Sequence, residues 1–393
     1  MTLAIRARID RYPAKMVGRL ADRLLERYAE KCTRLLDPFC GSGEILVRAR
    51  AKDIPVVGYD INPYATLLAR VRLEGFDYQV ASRLLDSFLV ASAHSSRAKL
   101  VNWENKDYWF TARTLEKYEV MRACASRMDL NMTREGRSVL LAYAFSIRMC
   151  SRADERSPKP FISKIALEQK AGRHIDPLRL ILTIHVELCR LYGKPNKTAS
   201  RVVTCDIVDR PSAMTRNGTY SHVMTSPPYL NAQDYFRNFK LELFFLEGLI
   251  DFEIDDISQR FIGTERGALL ERLDLIDIEQ NRVFMPQLQK LEKVRPKHAE
   301  IAHRYLFDMR RAFLHIREQL KNNGVLVLVC GDNLIGSFQI KTWRVLNCML
   351  ESMGFIKFDS FKDVIKARAL APKRSWHKSL MKEERITAFR LVF

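Results

Sequence analysis

The string Asp37-Pro38-Phe39-Cys40-Gly41-Ser42-Gly43 combines an acid, a rigid proline and two glycines in one short run. Glycines let a backbone approach a ligand closely, and free N–H groups where a helix begins can receive an anionic group such as a carboxylate. An acid at the mouth of such a turn can hold an amino group, the alternative being an ordinary tight turn. A second run, Thr225-Ser226-Pro227-Pro228-Tyr229, offers different chemistry. A serine hydroxyl and a prolyl carbonyl on a stiff turn can accept the N–H hydrogens of an exocyclic amine, and so help free its lone pair for attack on an electrophile. The tyrosine ring adds a stacking face for a base removed from its helix. No titrating nucleophile is required.

Both runs need strands to hold them. TRLLDPF followed by CGSGEILVRARAK reads as strand, glycine turn and helix, preceded by a helix over 16 to 31. VVGYD reads as a second buried strand ending on Asp60, with PYATLLARVR as the next helix. Two successive β-α units imply a parallel sheet with right-handed crossovers, hence an α/β fold. RVVTCDIVD, ending near Asp206, and YSHVMT, running into the Pro-Pro turn, add two more strands. NNGVLVLVCGDN, FIKF and ITAFRLVF supply the rest of the sheet, with a helix over 340 to 353.

From about residue 75 to 199 the periodicity is helical, and a second helical and charged stretch occupies 233 to 317. The expected organisation is therefore a core made of 1–74, 200–232 and 318–393, interrupted by insertions at 75–199 and 233–317. The first insertion is the candidate for target recognition. No internal repeat or low-complexity linker separates these parts.

The 393 residues include 65 Lys+Arg against 46 Asp+Glu, a formal charge of +19, which favours a polyanionic partner through phosphate neutralisation. The eight cysteines are scattered, without C-x-x-C pairs or zinc spacing, so reduced core thiols are expected and no metal site. No stretch approaches the roughly eighteen apolar residues of a membrane span, and the first residues lack an apolar signal region, so the chain reads as soluble and cytoplasmic.

With both motifs in place, the chain resembles the amino-methylating DNA methyltransferases, which form N4-methylcytosine or N6-methyladenine. The resemblance implies a Rossmann-like methyltransferase core with S-adenosylmethionine as cofactor. Asp37, Pro38, Phe39, Cys40, Gly41 and Gly43 would bind its methionine part and Asp60 with Ile61 its ribose. An acid about twenty residues past the glycine turn suits ribose hydroxyls, with a helix cap as the alternative role. Asp206, at the end of a third strand, is the candidate acceptor for the adenine amino group. Ser226, Pro227, Pro228 and Tyr229 would hold the target amine. Arg11-Tyr12-Pro13-Ala14-Lys15 looks like the family's upstream element, which gives Tyr12, Pro13 and Lys15 a place at the methionine end; a plain N-terminal turn is the other reading.

Serine at 226 is the form associated with N4-cytosine enzymes. C5-cytosine chemistry is disfavoured, because no Pro-Cys nucleophile motif stands in the expected place and Cys40 and Cys205 have no paired base. The cofactor motif precedes the catalytic motif here, whereas many N4-cytosine enzymes have the reverse order. The implied partner is double-stranded DNA, and a restriction-modification system with a paired endonuclease is compatible with it. Candidate DNA contacts are Arg152, Arg156 and Lys159 in a cationic, proline-rich loop, Arg237 and Lys240 after the catalytic turn, and Lys373 and Arg374 in a late basic loop. Solvated loops and an amphipathic helix from Gln233 are the plainer readings of these segments. An RNA base amino-methyltransferase and a silent nucleic-acid-binding subunit of the same fold are the rival functions.

Overall fold

The computed structural model describes residues 9, 12, 15–95, 103–155, 157, 159–170, 175–209, 218–230, 235–264, 283–335, 338–364 and 383–392. They fall into two units, one comprising Met16–Ile61, Thr198–Tyr235 and Ile257–Phe393, the other Met1–Lys15, Asn62–Lys197 and Phe236–Asp256.

The first unit is built on a seven-stranded sheet. Its strands are β1 (Leu35–Asp37), β2 (Val56–Asp60), β3 (Ser200–Thr204), β4 (Tyr220–Thr225), β5 (Leu320–Cys330), β8 (Phe355–Val364) and β9 (Glu383–Leu391). The order is β3-β2-β1-β4-β5-β9-β8; a separate hairpin pairs β6 (Asn333–Ile335) with β7 (Phe338–Ile340). β1 to β5 run parallel, and β9 is antiparallel to both β5 and β8. This is the expected α/β, Rossmann-like arrangement. All of β1, most of β2 and the end of β5 are buried without alternation, as in parallel strands whose two faces are both removed from water.

The helix Pro296–Gln319 belongs to this unit: its Tyr305, Leu306, Met309, Ala312, Phe313 and Ile316 join Leu36, Val57, Val223 and Leu326 in one core. Fully burying each large side chain contributes about 1.5–3 kcal/mol relative to exposure. The structure thus divides the chain differently from the expected boundaries. Of the stretch 233–317 read as insertion, residues 257–264 and 283–317 group with the sheet unit, where the apolar stripe of Pro296–Gln319 completes the core.

The second unit is helical. Pro63–Glu74, expected in the core, groups here, with Tyr78–His94, Ala112–Arg127, Arg134–Cys150 and Pro177–Tyr192. Arg134–Cys150 is its centre, buried from Ser138 to Ala144. Several polar groups inside are paired: the Tyr118 hydroxyl lies 2.7 Å from Ser146 Oγ, Arg148 pairs with Glu242 at 2.9 Å, and Arg137 pairs with Glu74 at 2.5 Å. Among the described residues no helix is long and apolar enough to cross a membrane, and no group of His, Cys, Asp and Glu could hold a metal ion.

Candidate active site

In an open parallel sheet the ligand crevice lies outside the carboxyl ends of the strands, where the strand order reverses. Here that point lies between β1 and β4: the chain goes from β1 outward to β2 and β3, then returns to β4 and continues to β5 on the other side. β1 and β4 are paired, with Leu35 opposite His222 and Leu36 opposite Val223. Their carboxyl ends carry the two motifs singled out in the sequence, Asp37 to Gly43 and Ser226 to Tyr229.

The glycine turn has the conformation that glycine permits, with φ of 49° at Gly41 and 77° at Gly43. It is pinned by the Cys40 N–H donating to the Tyr59 carbonyl at 2.9 Å and the Gly43 N–H donating to the Cys40 carbonyl at 2.7 Å. Pro38 is buried, while Phe39 and Ile61 are half-buried. Asp60 Oδ2 accepts the Gly41 N–H at 2.8 Å, so the acid after β2 and the turn after β1 form one cradle. Capping of the following helix falls instead to Asn62, whose side chain accepts from the Tyr64 and Ala65 N–H groups.

Asp37 is only 4% exposed. Its Oδ1 accepts the Thr225 hydroxyl at 2.6 Å and the Phe39 N–H at 3.2 Å. Burial outweighs these two donors and, with the nearby charge of Asp60, pushes the carboxyl up to about 7. Among the described residues no cation pairs with it. A buried acid poised in this way fits a ligand that brings an ammonium group.

Asp206 lies just beyond β3. Its carboxylate accepts the Val208 N–H at 2.9 Å and Arg260 Nε at 3.2 Å, and Arg260 reaches Asp209 at 2.5 Å. Burial raises the Asp206 carboxyl, opposed by the Val208 N–H and by Arg260. Cys40 and Cys205 are core thiols: burial drives Cys205 up to about 12 and Cys40 well above the ordinary thiol range, so neither is an available thiolate.

The Ser226–Tyr229 turn begins where Pro227 and Pro228 end the ladder of β4, since proline has no N–H to donate. Four side chains hold it. Thr225 binds Asp37, Tyr305 donates its hydroxyl to the Pro228 carbonyl at 3.0 Å, Asn333 Nδ2 donates to the Leu230 carbonyl at 2.6 Å, and the Tyr229 hydroxyl donates to Glu384 at 2.8 Å. Thr342 in turn donates to Asn333 Oδ1 at 2.8 Å. With the Pro228 carbonyl engaged, the Ser226 hydroxyl and the Pro227 carbonyl are the acceptors suited to an incoming amine. Tyr305, Asn333, Glu384 and Arg260 carried no local signal in the sequence, because each reaches the site from an element distant along the chain.

In the helical unit, Tyr12 stacks on Phe239 with centroids 5.0 Å apart, and Phe239 stacks on Tyr64 at 5.0 Å. The Lys15 N–H donates to the Tyr12 carbonyl at 3.4 Å. Tyr235–Leu246 is the helix expected near Gln233; on it Arg237 is exposed, and the Lys240 ammonium lies 4.6 Å above the centre of the Trp109 ring. Arg152 donates to the carbonyls of Asp107 and Tyr108 at 2.8 and 3.2 Å, closing the loop beside Trp109, and Lys159 is exposed. Pro13, Arg156, Lys373 and Arg374 lie outside the described residues.

No protein-family model matches the chain. The type II methyltransferase M.MjaII of Methanocaldococcus jannaschii is 30% identical over 125 residues, covering 28% of this chain and 24% of that protein. M.MvaI of Kocuria varians, also a type II methyltransferase, is 26% identical over 125 residues, covering 29% and 28%. A third, M.BsoBI of Geobacillus stearothermophilus, is 23% identical over 279 residues, covering 63% and 54%. The matches thus span from about a quarter to about half of the length of these relatives. A TehB-like SAM-dependent methyltransferase from Corynebacterium glutamicum aligns over 96% of this chain and 89% of that one, with 9% identity and a TM-score of 0.32. The fold assignment stands on the strand order and not on this last likeness.

Proposed function

We propose that this chain, a methyltransferase of the group its motifs resemble, transfers a methyl group from S-adenosylmethionine to an exocyclic amino group of a base in double-stranded DNA, with N4 of cytosine as the target. The observation that carries the proposal is the junction of the two motifs at the switch point, where Thr225, one residue before Ser226, binds Asp37. When bound, the cofactor supplies an electrophilic methyl carbon on a sulfonium.

Asp37 would hold the ammonium of its methionine part, with Pro38, Phe39, Cys40, Gly41 and Gly43 forming the cradle. Asp60 and Ile61 would face the ribose, and Asp206 the adenine amino group. The roles of Tyr12, Pro13 and Lys15 rest on the resemblance alone. Ser226 and the Pro227 carbonyl would accept the N–H groups of the flipped base and turn its lone pair toward the methyl, while the Tyr229 ring walls the base. The charge of +19 supports a phosphate-rich partner, which the exposed Lys159 and Arg237 suit. Serine at 226 supports cytosine N4 over adenine N6.

The test is mass spectrometry of nucleosides from DNA of cells expressing the chain or its Ser226→Ala variant. N4-methyldeoxycytidine found only with the unaltered chain is the expected result. N6-methyldeoxyadenosine would keep the reaction and change the base. No methylated deoxynucleoside, despite measured cofactor binding, would move the target to RNA or leave a silent binder.

A further inference from the structure

The carboxyl after β3 can serve an adenine amine in only one of its two forms. Ionised, both oxygens accept; protonated, one of them donates and suits a carbonyl instead. Burial favours the second form. The contacts around Asp206 favour the first. Each of its oxygens takes one donor, the Val208 N–H on Oδ1 at 2.9 Å and Arg260 Nε on Oδ2 at 3.2 Å. A carboxylate offers roughly four acceptor sites, so capacity for an amine remains.

Arg260 is itself held in place. Its Nη2 reaches Asp209 Oδ2 at 2.5 Å, and Arg311 Nη2 lies 3.5 Å from the other oxygen of Asp209. Arg304 Nη2 donates to the carbonyl of Gln259, the residue before Arg260, at 2.8 Å, and His315 Nδ1 lies 2.7 Å from the Ile207 carbonyl. Arg304, Arg311 and His315 all stand on the helix Pro296–Gln319. One core helix therefore fixes both the loop that carries Asp206 and the cation that faces it.

We infer that Arg260 is a positioning residue for the cofactor: bridging Asp206 and Asp209, it holds Asp206 as an acceptor-only carboxylate, so that the purine site takes a 6-amino group and rejects a 6-oxo group. The inference rests on the proposed place of Asp206 at the adenine amine. The side chain of Asp206 is only 9% exposed, so its charge-assisted contact with Arg260 is screened little by salt. That of Arg260 is 34% exposed, so a neutral replacement leaves no cavity in the core.

The experiment measures, by calorimetry on the full chain, the affinities for S-adenosylhomocysteine and for its 6-oxo analogue, S-inosylhomocysteine. The unaltered protein is expected to favour the amino compound about 10- to 100-fold, the margin of a hydrogen bond to a charged group. Asp206→Asn, whose amide can turn to donate or to accept, is expected to cut this preference to within about threefold. Two neutral changes, Arg260→Gln and Arg260→Met, are expected to reduce the preference at least about fivefold, while Arg260→Lys, which keeps the charge, holds it within about twofold. A full preference in both neutral variants, equal weakening of both ligands, or a Lys variant no better than Gln would each overturn the inference and leave Asp206 at the adenine. A preference retained in Asp206→Asn, or none in the unaltered chain, would remove Asp206 from the adenine and this inference with it.

Discussion

Thr225 donates a hydrogen bond of 2.6 Å to Asp37 from the end of the neighbouring parallel strand, although 188 positions of chain separate the two. One bond therefore joins the turn assigned to the cofactor with the turn assigned to the amine. It also touches a carboxyl that burial holds near 7, so small changes there act on both binding and stability.

Replacing Asp37 with Asn is expected to weaken S-adenosylmethionine binding by about 10- to 100-fold, since a charge-assisted contact becomes a neutral one. In the unaltered protein affinity is expected to fall as pH drops below about 7, because a proton must leave Asp37 before it can pair with an ammonium. Titration calorimetry from pH 5.5 to 8 measures both effects. An equally steep pH dependence in the Asn variant would remove Asp37 from the ammonium site.

Stability of the ligand-free protein carries the same signature with a defined sign. Asp37 and Asp308 are both pushed by burial to about 7, from an ordinary value of 3.8. Between those values the folded chain binds more protons than the unfolded one, so these groups stabilise it most below about 4 and the contribution is lost as pH rises to 7. The effect is on the order of a few kcal/mol. Urea unfolding at pH 5 and pH 8 should show a smaller difference for Asp37→Asn than for the unaltered chain. Equal differences would mean that Asp37 titrates as in water.

Thr225→Val keeps shape and removes the donor. The buried Asp37 oxygen then loses its shortest partner, and destabilisation of about 1–3 kcal/mol is expected, with the Asp37 carboxyl rising further. Chemical denaturation measures the first, and the shift of the cofactor-binding pH profile to higher pH measures the second.

Asn333→Ala strands the Leu230 carbonyl and leaves the Thr342 hydroxyl only its longer bond, 3.4 Å, to the Ile340 carbonyl. A loss of about 2 kcal/mol is expected. Because Leu230 directly follows the turn proposed to hold the amine, kcat should fall while cofactor affinity holds. Calorimetry beside single-turnover rates separates the two, and an unchanged rate would show that the turn is held adequately by Tyr305 and Glu384.

What the sequence alone determined about this protein is what is written locally. The glycines at 41 and 43, the prolines at 227 and 228 and the strand-ending acids declare themselves through backbone preferences and hydrogen-bonding capacity, which depend on neighbours a few positions away. The buried strands and the amphipathic helices are equally local, and most lie where their periodicity placed them. Only the tertiary structure decided that β1 adjoins β4, that the helix Pro296–Gln319 completes the sheet core, that Tyr305, Asn333 and Glu384 hold the turn after β4, and that Arg260 meets Asp206. An apolar stripe states that a helix must be covered without stating by what. A lone glutamate or arginine has no periodicity at all, and its partner is set by the path of the chain through the sheet.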